Sequence, residues 1–106
     1  MLSMVTTACS TMDDVKVSHE CAGAGTVFVA HLQPGTFSDG SPGYLAKTWN
    51  EVVPPNEATV VASIVNMAAD DLVRVAVEAA GWEIEHTRSE LRDHDGLITL
   101  PLEACP

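Results

Sequence analysis

Asp70-Asp71-Leu72-Val73-Arg74-Val75-Ala76-Val77-Glu78-Ala79-Ala80-Gly81 is the stretch whose reading decides the fold. Leu72, Val75, Ala76 and Ala79 fall at helical spacing and would form one apolar stripe. Asp70 and Asp71 suit the positive end of a helix dipole, and Gly81 suits the left-handed position just past a helix end. Asp70, Arg74 and Glu78 stand at i, i+4 and i+8, which would bracket one cation between two carboxylates. The spacing therefore predicts a helix over 70–80.

Downstream, Trp82, Ile84 and His86 alternate with Glu83, Glu85 and Thr87, the period of a strand. Arg88–His94 either extends that strand or forms a short helix opened by a Thr87-Arg88-Ser89-Glu90 capping box. Asp95-Gly96 marks a turn, and Leu97–Leu102 reads as a last strand, with Pro101 at its edge or end. Upstream, the β-branched density of Ala58–Val65 predicts a buried central strand. A continuous helix from Glu57 to Ala80 is its rival, because Val61, Ile64, Val65 and Ala68 also fit helical spacing.

Further upstream, Ser41 as N-cap and Pro42 as first helical residue predict another helix. Leu45, Trp49, Val52 and Val53 supply its stripe, and Pro54-Pro55 ends it. Gln33–Gly43, with three glycines and two prolines, reads as a long loop. At the start, Val15–Cys21 and Thr26–Leu32 read as strands joined by a tight turn at Gly23-Ala24. That register sets Cys21 opposite Thr26 and His19 opposite Phe28. It gathers Val15, Val17, His19, Cys21, Phe28, Ala30 and Leu32 on one face and sends His31 to the other.

The expected order is β-β-α-β-α-β-β: an α+β two-layer sandwich, a mixed five-stranded sheet with two helices on one face. Residues 13–106 would form a single domain, preceded by an N-terminal extension over 1–12. Val27 and Val29 would lie on the uncovered face, which predicts a homodimer that buries it.

Composition limits function more firmly. Fifteen Asp and Glu against five Lys and Arg give a formal charge of −10. That field opposes phosphate-backbone contact, so no direct nucleic-acid binding is expected. Only Asp13, Asp14, Glu20 and Asp39 precede residue 50; the other eleven carboxylates follow it. No apolar run reaches the ~18 residues of a membrane span. Thr7-Ala8-Cys9 lacks the basic and hydrophobic flanks of an export signal. Cys9, Cys21 and Cys105 are an odd, sparse set, which predicts reduced thiols in a soluble cytoplasmic protein, with Cys21 buried and inert and the other two near the surface.

Chemistry-bearing motifs are few. His19 and Cys21 share a strand face but lack the third and fourth ligands that zinc needs. Asp93-His94-Asp95-Gly96 lacks the distal bidentate Glu of a calcium loop. No nucleophile, phosphate or dinucleotide motif is present, so neither metal nor cofactor is expected and binding is favoured over catalysis. Two candidate sites emerge. One is the Pro34–Gly43 loop with Phe37, Asp39 and Tyr44. The other is the acidic row Glu83 and Glu85, flanked by Trp82, with Asp93 and Asp95 nearby. Together these predict an acidic interaction or regulatory module, inhibitor- or immunity-like, for a basic protein partner. The alternatives are a small-molecule-binding or enzymatic domain with a pocket near residues 34–43, and an accessory protein whose acidity serves only solubility.

Overall fold

The computed structural model describes residues 11–106. Val73, Val75 and Val77 alternate with Leu72, Arg74 and Ala76, and the chain follows that alternation rather than the helical stripe. Each of the three valines is buried. Three β-branched residues on one side of a pleat bury their full side chains without the rotamer loss they would suffer in a helix. Residues 72–77 are therefore a strand, which reverses the fold class.

The molecule is a two-sheet β-sandwich. Its strands are β1 (Met12–Ser18), β2 (Gly25–Thr36), β3 (Pro42–Val53), β4 (Thr59–Val65), β5 (Leu72–Val77), β6 (Trp82–Thr87) and β7 (Leu97–Thr99). One sheet has the order β4-β1-β7 and the other β3-β2-β5-β6. The single α-helix among the described residues, α1 (Arg88–Asp93), has six residues and carries the chain from β6 in one sheet to β7 in the other. Expected helices over 42–53 and 70–80 are thus strands, and the five-stranded sheet is replaced by sheets of three and four strands. The expected strands at 58–65, 82–87 and 97–102 are present, but the first lies at the edge of its sheet rather than at the centre and the last is cut short at Thr99. Ambiguity at 88–94 resolves in favour of the capping box: the Glu90 amide donates to Thr87 Oγ1 at 3.3 Å, and the Thr87 amide donates to Glu90 Oε1 at 2.8 Å.

The first two strands do not form a hairpin. β1 pairs antiparallel with β4 and parallel with β7, whereas β2 pairs antiparallel with β3 and β5. Residues 19–24 cross between the sheets, so the tight turn at Gly23-Ala24 and its register fall together. The faces of β2 invert accordingly. Val27, Val29 and His31 are buried, while Phe28 and Ala30 are half-exposed. Because side chains alternate with period two, one misplaced pairing moves a whole set to the opposite face.

Val15 and Val17 of β1, Val61 and Ile64 of β4, and Ile98 of β7 close over Val27, Val29, Val73, Val75 and Val77, with Leu91 of α1 also in this cluster. Burying each aliphatic side chain contributes about 1.5–3 kcal/mol, and this cluster is the main source of stability. The inner face of the four-stranded sheet is covered by the second sheet, which removes the reason given above for a homodimer.

Cys21 and Cys105 form a disulfide with a Cα–Cα distance of 5.5 Å and a sequence separation of 84. Reduced thiols at these two positions are therefore ruled out; Cys9 lies outside the described residues. The bridge ties the β1–β2 crossover to the C-terminus, next to the short 3-10 turn Leu102–Ala104. No helix among the described residues is long and apolar enough to cross a membrane.

Candidate functional sites: the β2–β3 arm and the β6–β7 cleft

β2 outruns its neighbour. β5 pairs with Phe28–Leu32 only, while β3 continues to pair with β2 as far as Thr36↔Pro42. Gln33–Thr36 and Pro42–Leu45 therefore pair only with each other and form an arm beyond the sandwich. The expected loop at 33–43 is mostly this arm, and only residues 37–41 turn.

The turn is built from short-range bonds. Asp39 Oδ1 accepts from the Ser41 amide at 2.9 Å and from Ser41 Oγ at 2.6 Å. These bonds hold the Asp39 carboxyl below its ordinary pKa, the hydroxyl bond first. Phe37 lays its ring against Gly43, where any Cβ would collide with the ring. At the tip Phe37 is 57% exposed, Tyr44 52% and Leu45 70%. Of the expected first site, Phe37, Asp39 and Tyr44 do come together, but as a hairpin tip rather than a loop feeding a helix N-terminus. The hollow beside them, lined by Thr36, Phe37, Tyr44 and Leu45, measures about 100 Å³. Drug-sized ligands need ~300 Å³ or more. The tip is thus an exposed apolar surface and not a pocket.

A buried polar pair sits at the base of the arm. His31 Nε2 lies 2.7 Å from Asp71 Oδ2, and that oxygen also accepts from the Ala68 amide at 2.9 Å. Both side chains are almost fully buried. This pair links β2 to the β4–β5 connection at the level where the arm leaves the body. Sequence reading missed it because the assumed register sent His31 outward and the assumed helix made Asp71 a dipole partner.

The second expected site divides. Glu83 and Glu85 lie on the outer face of β6, and there they bracket Arg74 of β5. Arg74 Nε lies 2.9 Å from Glu85 Oε2 and 3.4 Å from Glu83 Oε2. The expected bracket of Arg74 by Asp70 and Glu78 is replaced by one from the neighbouring strand, because residues 72–77 are not helical. Asp93 and Asp95 belong to the end of α1 and the turn before β7. Asp95 lines a broad depression with Asp13, Asp14, Lys16 and Arg92. Arg92 holds Asp13 through bonds of 2.9 and 2.8 Å, and these keep the Asp13 carboxyl below its ordinary pKa. The four acids do not form one row.

Trp82 faces away from the two glutamates. Trp82, Ile84 and His86 are the inward set of β6, opposite Val77, Val75 and Val73 on β5. Beyond the end of the core they line a cleft of about 450 Å³ together with Leu97 and Ile98 of β7, His94 and Pro101. His86 Nδ1 itself is buried away from solvent, without a hydrogen-bond partner among the described residues. No sequence signal marked this cleft, since β6 and β7 come together only through the sheet topology.

His19 is fully engaged in structure. Its Nδ1 accepts from the Cys21 amide at 3.1 Å, so Nε2 carries the proton and donates to the Val53 carbonyl at 2.8 Å. With the Cys21 sulfur in the disulfide, neither residue is free to ligate a metal. Comparison with protein-family models, with curated proteins and with solved structures finds no match to this chain.

Proposed function

We propose that the chain is a cofactor-free protein-binding module that engages a basic partner through the tip of its β2–β3 arm. The observation that carries this reading is the exposure of Phe37, Tyr44 and Leu45 at the end of an arm that adds nothing to the core. Apolar side chains gathered at one exposed point mark contact surfaces, and aromatic anchors contribute most to binding energy.

The partner's chemistry follows from charge. From Gln33 to Leu45 the only charged residue is Asp39, so the arm carries a formal −1 and the remaining −9 resides in the body. A basic partner would be drawn in by the body and held by the arm, with electrostatics acting on encounter rate and the tip on residence time. The disulfide favours an oxidising compartment over the cytoplasm expected from the cysteine count.

The test is capture by wild type, by Phe37→Ser/Leu45→Ser and by Glu83→Lys/Glu85→Lys at low and at about 0.15 M salt. A captured basic protein should be lost with the arm variant at both salt concentrations. The charge variant should slow its association mainly at low salt. Capture that ignores the arm variant, or that selects an acidic protein, refutes the proposal.

A further inference from the structure

We infer that the free edge of β3 pairs antiparallel with the β3 edge of a second copy of this chain, joining two four-stranded sheets into one. This contact is separate from the arm tip and uses the edge of the sheet rather than its face. β3 pairs with β2 alone, and no described residue pairs with its other side. Its register with β2 runs from Gly25↔Val53 to Thr36↔Pro42 without a bulge. Such an edge is a template for another strand, and proteins ordinarily shorten, bulge or charge their edges to prevent pairing. The other edges carry those devices. β7 has three residues, β6 carries Glu83 and Glu85, and the register of β4 with β1 shifts between Val15 and Lys16.

The edge sequence selects its occupant. Ala46-Lys47-Thr48-Trp49-Asn50-Glu51-Val52 is exposed throughout except at Trp49, which is half-buried. Side chains of two paired strands share a face only when odd residues stand opposite odd ones. A two-fold axis through Trp49 meets that condition and sets Lys47 opposite Glu51 of the second copy, twice. It also sets Thr48 opposite Asn50, Ala46 opposite Val52, and the two Trp49 side chains opposite each other. Opposite charges and aromatic pairs facing across strands stabilise a sheet. An axis at Thr48 or Asn50 leaves both charges facing neutral side chains, and an axis at Lys47 or Glu51 sets like charges opposite. One register alone is self-complementary.

Charge elsewhere permits the contact. From Gly25 to Val53 the charged residues are Asp39, Lys47 and Glu51, a formal −1, so the seam joins the least acidic strands of a −10 chain. Lys47 Nζ lies 5.2 Å from the Trp49 ring centroid, drawn along β3 instead of out across the edge. Pro54, which has no amide hydrogen, ends the seam at each side and leaves Phe37 outside it.

Sedimentation of the full, disulfide-bonded chain should show a dimer at micromolar concentration and about 0.15 M salt. Lys47→Glu and Glu51→Lys should each weaken it roughly tenfold or more, because each turns two attractive pairs into two repulsive ones. The double variant, or an equimolar mixture of the two single variants, should restore it, since opposite charges then face each other again. Misfolding could not produce that rescue. Phe37→Ser, which strikes the arm tip, should leave the dimer unchanged, so this inference and the arm-tip proposal fail separately. A monomer up to the hundred-micromolar range overturns the inference. So does a dimer that the single variants leave intact, or one that the charge exchange does not restore. Dissociation by Phe37→Ser would assign the contact to the arm tip and also overturn it.

Discussion

Val27, Val29 and His31 share one strand with Gln33, Pro34 and Gly35, yet the first three are buried and the last three exposed. The strand passes from a sandwich, where the alternating valines of two sheets meet, into an arm where only its hairpin partner remains. In the body, backbone pairing and apolar burial reinforce each other. In the arm, pairing with one neighbour is all there is, and a two-stranded ribbon alone is marginally stable in water. The Asp39–Ser41 bonds and the Phe37–Gly43 contact are the local devices that hold its turn. Stability therefore belongs to the body, while the exposed aromatic and aliphatic groups of the arm are free to serve contact. Each prediction below perturbs one side of that division.

The largest effect is expected where the two regions join. Asp71→Ala would leave the buried His31 Nε2 and the partly buried Ala68 amide without their acceptor. Breaking such a buried pair costs about 3–5 kcal/mol. Urea unfolding should show that loss. A change below ~1 kcal/mol would mean that the junction is no firmer than the arm itself.

Reduction of the disulfide comes next. Closing a loop with 84 residues of separation removes about 4.6 kcal/mol of unfolded-state entropy on the chain model, and measured bridges more often give about 2–4 kcal/mol. Cys21→Ser/Cys105→Ser should lower the urea midpoint accordingly. Loss of the partner capture proposed for the arm tip along with it would break the division, because the bridge ties only the crossover and the C-terminus.

How much of this was legible in the sequence depended on which of two periods a segment satisfied. Residues 82–87 fit only alternation and form a strand as expected, while the reciprocal cap at 87–90 decides between strand and helix over 88–94 in favour of the helix. Residues 70–80 fit two periods at once. Leu72, Val75, Ala76 and Ala79 trace a helical stripe, yet Val73, Val75 and Val77 trace a strand, and their β-branching tips the balance to the strand. Gly81 does adopt the left-handed conformation (φ 64°), but after a 3-10 turn over Glu78–Ala80. In 42–53 the Ser41-Pro42 pair imitated a helix start; in the structure it closes a hairpin turn. β1 and β2 were recognisable as strands, but their partners were not, because pairing between distant segments leaves no local mark. The tip residues Phe37, Asp39 and Tyr44 were found for a partly wrong reason, and the β6–β7 cleft could not be found at all.

Acid should weaken the body by a smaller and graded amount. The Arg92 hydrogen bonds hold the Asp13 carboxyl below its ordinary pKa, and the Thr87 backbone bond does the same for Glu90. A lowered folded-state pKa gives stability that is present above the unfolded-state value and is lost as pH falls through the folded one. The melting temperature should therefore hold from neutral pH to about pH 5 and decline below about pH 4. Asp13→Asn should start lower at neutral pH and decline less steeply. Parallel curves for the two proteins would show that this contact contributes nothing in solution.

The smallest effect on stability is expected at the tip, and there the smallness is the point. Leu45 is 70% exposed, and no core residue packs against it. Leu45→Ser should change unfolding free energy by less than ~0.5 kcal/mol, the usual result at exposed positions. Substitution of a core valine removes buried surface and leaves a cavity, so Val75→Ala should cost several times more. The contrast matters because an exposed leucine that contributes nothing to folding still raises the risk of aggregation. If Leu45→Ser proved clearly destabilising, the arm would have to fold back onto the sandwich in solution, and its tip would be part of the core rather than a surface held out for a partner.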